Sequence, residues 1–286
     1  MNEKMIVHEN VLFEADKLND KLKVNPWAGH RDFVYDLVSF LKPNIIVELG
    51  THYGCSFFSF IQAIKDNKLD TKIYGIDSWE GEEHAGKYGG EVYQIVQTTV
   101  KTYFSQQNIY LLKTYFDQAI EQFDDNSIDI LHIDGLHTYD ATKSDFFNYL
   151  PKLKKNGIVL FHDIANYTGY GSHKFWEEIK LEYKNYFEFK HSWGLGVLFP
   201  KGNDNYLKLV NQNINDKIKI YQYKAENELN TIKLNDHMQM IDERDKTIEA
   251  QTQMIDERDK TIEAQTHMID ERDIYIKTLE NKLNGI

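Results

Sequence analysis

The sequence predicts a doubly wound α/β domain on a mostly parallel seven-stranded sheet, followed by a long helical coiled-coil tail. Three observations carry this reading. Short continuous apolar runs alternate with amphipathic stretches between Pro26 and Pro200, the pattern of a parallel sheet covered by helices on both faces. Two closely spaced apolar runs end that region and add a short antiparallel closure with a reversed last strand. Beyond it, neither proline nor glycine occurs from Asn203 to Asn284, so nothing in the backbone interrupts a helix. The divisions that follow are an N-terminal extension at 1–25, the α/β domain at 26–202, and a helical linker with coiled coil at 203–286.

In the domain, Asn44 to Leu49 (NIIVEL) is the first strand, Cys55 to Lys65 a helix, and Lys72 to Asp77 (KIYGID) the second strand. A helix over Glu91 to Phe104, a strand over Ile109 to Leu112, a helix around Phe116 to Phe123 and a strand over Ile128 to Ile133 follow. Next come a helix over Tyr139 to Leu150, a strand over Gly157 to Phe161, and a helix over Ser172 to Tyr183. Strands near Phe187 to Lys190 and Gly196 to Phe199 close the series.

The tail is repetitive. The segment MIDERDKTIEAQTQ recurs every 14 residues, two heptads, opening at Met240, Met254 and Met268. Ile241, Ile248, Ile255, Ile262, Ile269, Ile276 and Leu283 mark one seam position, while its companion alternates Arg and Gln before Leu279. A β-branched seam beside polar residues reads as a parallel homo-oligomeric coiled coil that trades stability for register; the alternative is a single solvated helix held by i,i+4 charge pairs.

Charge is partitioned in the same way. Of a net −12 (33 Lys and Arg, 45 Asp and Glu), residues 226–286 carry −7, leaving −5 on residues 1–225. An acidic balance argues against a general nucleic-acid binder. The single cysteine, Cys55, excludes an internal disulfide framework, and with no apolar stretch resembling a signal or a membrane span the expectation is a cytoplasmic protein.

In doubly wound sheets, ligands sit outside the carboxyl ends of the strands. Four such ends carry polar residues here. The first is Val47 to Ser56 (VELGTHYGCS), where Gly50 and Gly54 free the backbone and the next helix presents unpaired N–H groups. The second ends in Asp77, suited to accept hydrogen bonds from two ribose hydroxyls or, alternatively, to cap a turn. The third runs Leu131-His132-Ile133-Asp134-Gly135-Leu136-His137, and the fourth ends Leu160-Phe161-His162-Asp163-Ile164.

VELGTHYGCS, GIDSWEGEEHAGKYG and DILHIDGLHTYDATKSDFFNYLPKLKKNGIVLFHDI, in that order and spacing, resemble the class I S-adenosylmethionine-dependent methyltransferases. The branch is similar to sugar O-methyltransferases such as macrocin O-methyltransferase and to the cephalosporin-hydroxylase-like proteins, over roughly residues 26–200. The resemblance implies a Rossmann-like methyltransferase fold in which Glu48, Gly50, Thr51 and Gly54 line the methionine part of the cofactor, with Ser56 at the helix start. It also implies that Asp77 binds the ribose and that Tyr115 or Phe116 flanks the adenine. Metal-dependent relatives place an aspartate after the fourth strand and an acidic pair after the fifth. Asp134 and Asp163 match, but the pair is His162-Asp163, which leaves Mg²⁺ or Mn²⁺ as a candidate ion.

His137, three residues after Asp134, falls where catechol-type enzymes of this class place a lysine base; an imidazole there is either that base or a buried loop anchor. His162 is base, ligand or strand-end packing. The segment Ser78 to Gly90 reads as a lid or acceptor wall bearing Trp79, His84 and Tyr88, with Trp79 either stacking on a sugar or anchoring the loop; Tyr167 and Tyr170 follow the fifth strand and extend that wall. The expected activity is O-methylation of a sugar hydroxyl on a nucleotide sugar or surface-glycan intermediate, with glycan-assembly proteins as partners. The alternatives are a weakly catalytic scaffold working through its coiled coil, and a metal-dependent hydroxylase-like enzyme.

Overall fold

The computed structural model describes residues 4–82, 86–87 and 89–285. Two compact units divide the chain, Met1–Asn227 and Glu228–Ile286.

The first unit is an α/β sandwich. Its strands are β1 (Ile45–Leu49), β2 (Lys72–Asp77), β3 (Asn108–Lys113), β4 (Ile128–Ile133), β5 (Leu153–His162), β6 (Tyr186–Phe189) and β7 (Leu195–Leu198). They form one sheet in the order β3-β2-β1-β4-β5-β7-β6. Pairing is parallel from β3 to β5, whereas β7 runs antiparallel to both β5 and β6. The reversed strand is therefore interior, where the sequence suggests an antiparallel edge. β6 takes the edge and β7 returns into the gap beside β5. The turn before β7 thus lies level with the end of β5, because Leu195 pairs with His162.

Helices α1 (Arg31–Leu41), α2 (Cys55–Asp66), α3 (Gly90–Tyr103), α4 (Phe116–Ala119), α5 (Tyr139–Tyr149) and α6 (Gly171–Glu182) cover the sheet in two apolar clusters, one on each face. The strand residues alternate between those clusters: Ile46 and Ile73 face one, Val47 and Ile76 the other. The sequence patterning gives no helix before β1. In the structure, the Asn25 side chain accepts the Trp27 N–H at 2.9 Å, Pro26 opens a 3₁₀ turn, and α1 follows until Lys42 adopts a left-handed conformation ahead of Pro43. Residues before Asn25 also join the core: Met5, Phe13, Ala15 and Leu22 are buried, and Arg31 pairs with Asp16 at 2.8 Å.

After α7 (Asp204–Val210), one helix, α8, runs Ile214–Leu283. Its first turns belong to the first unit, where Ile214 and Tyr221 are buried and the Tyr221 hydroxyl donates to Asp36 at 2.6 Å. The second unit is helical through Leu283, and no side chain from 228 to 283 is buried. No helix among the described residues is long and apolar enough to cross a membrane.

Candidate active site

The parallel strands bring the carboxyl ends of β1, β2, β4 and β5 to one sheet edge, where a cavity of about 500 Å³ opens. At the β1 end, Gly50 (φ +92°) is required by packing: a Cβ there would lie 2.1 Å from the Asp134 carbonyl oxygen. Gly54 (φ +85°) then caps α2, and the stretch from Gly50 to Ser56 lines the cavity. Thr51 in that stretch is buried with its Oγ1 unpaired among the described residues. Cys55 is buried, its thiol donates to the Leu22 carbonyl at 3.3 Å, and burial pushes its pKa up to about 12, so it is inert.

Asp77 closes β2. Its carboxylate accepts the His52 N–H at 2.8 Å and the Trp79 N–H at 2.7 Å, which fixes both oxygens while leaving lone pairs toward the cavity. Burial raises its pKa, opposed by those N–H groups.

Glu48 does not line the cavity. It is fully buried on β1, opposite His132 of β4 in the sheet register, and accepts a hydrogen bond from His132 Nδ1 at 2.9 Å. The Trp27 indole N–H donates to His132 Nε2 at 3.1 Å, so the proton of a neutral His132 sits on Nδ1. Burial raises the Glu48 pKa against that bond, and its Oε1 has no partner among the described residues. Glu48 therefore supports the cavity from beneath, through a Trp27–His132–Glu48 chain.

At the ends of β4 and β5, Asp134, His162 and Asp163 converge, each offering a ligand atom within 4.8 Å of the others. His162 Nδ1 lies 3.1 Å from Asp134 and 3.2 Å from Asp163, while its Nε2–H donates to the Ser192 carbonyl at 3.0 Å. Burial by itself would lower the His162 pKa, but the Asp163 and Asp134 carboxylates override it and raise it well above the usual imidazole range. Burial likewise would raise Asp134, but His162, His132 and His137 hold it well below the usual carboxylate range.

The geometry fits a divalent cation. An imidazole whose outer N–H is fixed on a carbonyl turns its other nitrogen inward between two carboxylates, and a metal would replace the proton held there. One nitrogen with two carboxylates suits Mn²⁺, Fe²⁺ or Zn²⁺ better than Mg²⁺. Asp163 is held at φ +60°, unusual for a non-glycine residue, with the Ser172 hydroxyl donating to its carbonyl at 2.7 Å.

His137 also reaches Asp163, with Nδ1 at 3.1 Å from Oδ2, and stacks on Tyr170 with ring centres 4.9 Å apart. Its carbonyl accepts the Gly171 and Ser172 N–H groups at the start of α6. Tyr170 packs edge-on against Trp193, and both line the cavity. Tyr115 and Phe116 line another part of it; the exposed Tyr115 hydroxyl donates to Glu80 at 3.1 Å.

Two aromatic candidates lie elsewhere. Trp79 is 1% exposed, its indole N–H donates to the His52 carbonyl at 3.0 Å, and its ring packs on Tyr93, so it anchors the loop instead of facing a sugar. Tyr167 is exposed outside the cavity and accepts the Trp193 N–H at 3.0 Å. His84 and Tyr88 lie outside the described residues. Among the residues the sequence does not mark as belonging to the site are Trp27, Asp145 and Trp193, which line the cavity, and His132, which lies beneath it. A polar residue inside an apolar strand run was the available signal for His132; Trp193 offered none, since its place depends on the interior position of β7.

Residues 47–164 match a family model described as a methyltransferase domain. With the strand order, this defines the class as far as the fold: a Rossmann-like α/β fold of the methyltransferase type. The chain is 42% identical over 176 residues to the uncharacterized protein y4gI of Sinorhizobium fredii, covering 60% of this chain and 19% of that one. It is 33% identical over 125 residues to the uncharacterized protein R132 of Acanthamoeba polyphaga mimivirus, covering 42% and 52%. The chain thus spans about a fifth and about half of the lengths of these two relatives. In fold it resembles the crystal structure of a candidate caffeoyl-CoA O-methyltransferase from Staphylococcus aureus, with a TM-score of 0.50 at 17% identity over 64% of this chain and 90% of that one.

Proposed function

We propose that the chain transfers the methyl group of S-adenosylmethionine to a hydroxyl oxygen of a sugar, on a nucleotide sugar or a surface-glycan intermediate. One observation carries the reading: a single cavity holds the Asp77 carboxylate on one strand end and the Asp134, His162 and Asp163 cluster on two others. Bound S-adenosylmethionine supplies an electrophilic methyl on its own sulfonium leaving group. The chain must then hold the nucleophile in line and remove one proton, and alignment alone is worth several kcal/mol.

Asp77 accepts the ribose hydroxyls, and the Gly50–Ser56 turn, whose Gly50, His52 and Gly54 N–H groups are bonded within the fold, walls the methionine part. Asp134, which lines the cavity, supplies negative charge that favours a sulfonium. His137 is the base: Nδ1 stands at ion-pair distance from Asp163, 3.1 Å from Oδ2, and Nε2 takes the proton. A sugar hydroxyl is far less acidic than a phenol, so a cation held by Asp134, His162 and Asp163 would supply charge stabilisation to the developing alkoxide. Tyr170 and Trp193 offer aromatic faces to the acceptor. The tail, with isoleucines every seventh residue exposed by 44–58% from Ile241 to Ile276, supports a parallel coiled coil with a second copy of the chain and a docking role among glycan-assembly proteins. That exposed seam also favours the second reading, a scaffold with weak catalysis.

The test is incubation with methyl-labelled cofactor and a panel of nucleotide sugars, with and without a chelator. Label in a sugar, lost on chelation, is expected. Cofactor binding without transfer to any sugar in the panel would overturn the sugar assignment.

A further inference from the structure

Along the tail, the chemistry of the helix seam alternates with the 14-residue repeat. With Ile241 at position a of a heptad, position d holds Arg244, Gln251, Arg258, Gln265 and Arg272, and position e holds Asp245, Thr252, Asp259, Thr266 and Asp273. Arginine at d is thus always followed by aspartate, and glutamine by threonine. Neighbours on one helix stand three and four residues apart. For each of these arginines they are methionine, isoleucine, threonine or tyrosine, never an acid. For Asp245 and Asp259 they are isoleucine, aspartate or glutamate, never a base; Asp273 has Lys277 four residues on. The outer face differs, since Lys246 and Lys260 each have a glutamate three residues before and three after. Among the described residues, none of the three arginines is in an ion pair, and the isoleucines beside them are exposed.

We infer that this face pairs with the same face of a second copy, parallel and in register, Arg244, Arg258 and Arg272 of each copy reaching Asp245, Asp259 and Asp273 of the other. In a parallel pair, a side chain at d packs beside e of the facing helix. The layers then stack isoleucine on isoleucine, arginine beside aspartate and glutamine beside threonine. A slip of one heptad sets arginine beside threonine and aspartate beside glutamine. A slip of two restores the pairs but removes about 21 Å of overlap and parts Leu279, the apolar residue at d, from its twin. An antiparallel pair sets e against e, aspartate against aspartate. The inference rests on the homo-oligomeric tail of the proposed function and adds its direction, its register and the pairs that enforce them.

The test is interchain spin-label distance on the full chain, labelled in turn at Gln253→Cys and Asn281→Cys, both at outer position f, with Cys55 buried. Both should give one short distance, roughly the width of two helices, about 20–30 Å. A two-heptad slip adds about 21 Å along the axis, and an antiparallel pair separates at least one of the two positions by about 42 Å or more; either would overturn the inference. Combined replacement of the three seam arginines by glutamate should weaken self-association about tenfold or more, as should combined replacement of the three aspartates by arginine. An equimolar mixture of the two variants should restore it, which also shows that both helices still form. Self-association of either variant at native strength, or a mixture no stronger than its components, would overturn the pairing. A native chain of monomer mass by light scattering would instead sink the oligomeric tail itself.

Discussion

Helix α2 and the part of α8 beyond Asn227 are both regular helices, and they are held by opposite means. All ten residues from Cys55 to Ile64 are buried, so α2 is fixed by packing and its first turn is aimed at the cavity by the sheet beneath it. From 228 to 283 no side chain is buried, and what holds the helix is its backbone ladder with i,i+4 contacts such as Gln239–Glu243. A helix that positions chemistry needs tertiary contacts from every side. One that repeats an uncovered apolar stripe gains stability only when a second helix covers it.

The largest expected effect lies on the packed side. Asp134→Ala and Asp163→Ala should each lower methyl transfer by roughly a thousandfold or more, while S-adenosylhomocysteine affinity changes by less than about fivefold. Steady-state rates beside calorimetry separate the two, and a parallel loss of both would reduce the cluster to a structural role. Trp79→Ala should cost about 3–5 kcal/mol in denaturant unfolding, as for a buried aromatic, and an unchanged midpoint would contradict its place as a loop anchor.

Truncation after Asn227 should convert an oligomer to a monomer by light scattering and leave cofactor affinity within about twofold. An unchanged mass would count against the tail as an assembly element.

The remaining effect is electrostatic. The Asp145 pKa is raised from the ordinary carboxylate value to about 7, so the folded chain holds a proton that the unfolded chain releases. The stability this gives is complete below about pH 4 and is lost as pH rises through 7. Asp145→Asn should therefore melt above the native protein at pH 8 and converge with it at low pH; parallel melting curves across that range would contradict the shift.

Strand ends were legible in the sequence to within a residue or two, because each apolar run stops at a glycine, a proline or a polar residue. β5 is the exception: it extends back to Leu153 across a register shift opposite Ile128 and Ile130, which no apolar run marks. Helix α1 was hidden because Arg31 and Asp36 interrupt its apolar pattern. Both are buried, Arg31 against Asp16 and Asp36 against Tyr221 and His8, pairings visible only once the fold brings the N-terminal segment and α8 together.

The site divides in the same way. Asp77, Asp134 and Asp163 follow from strand-end position. The direction of a side chain does not: Glu48 turns under the sheet edge and Trp79 into the core. Ser192 shows the longest reach. Its carbonyl takes N–H groups from both His162 and His30, and it stands there because β7 returns between β5 and β6.

The most direct measurement is S-adenosylhomocysteine binding to the native chain and to Asp77→Ala. One molecule bound per chain, weakened about a hundredfold or more by the substitution, is the predicted result. Absence of binding by the native chain, or equal binding by both, would contradict the placement of the cofactor at the strand-end cavity.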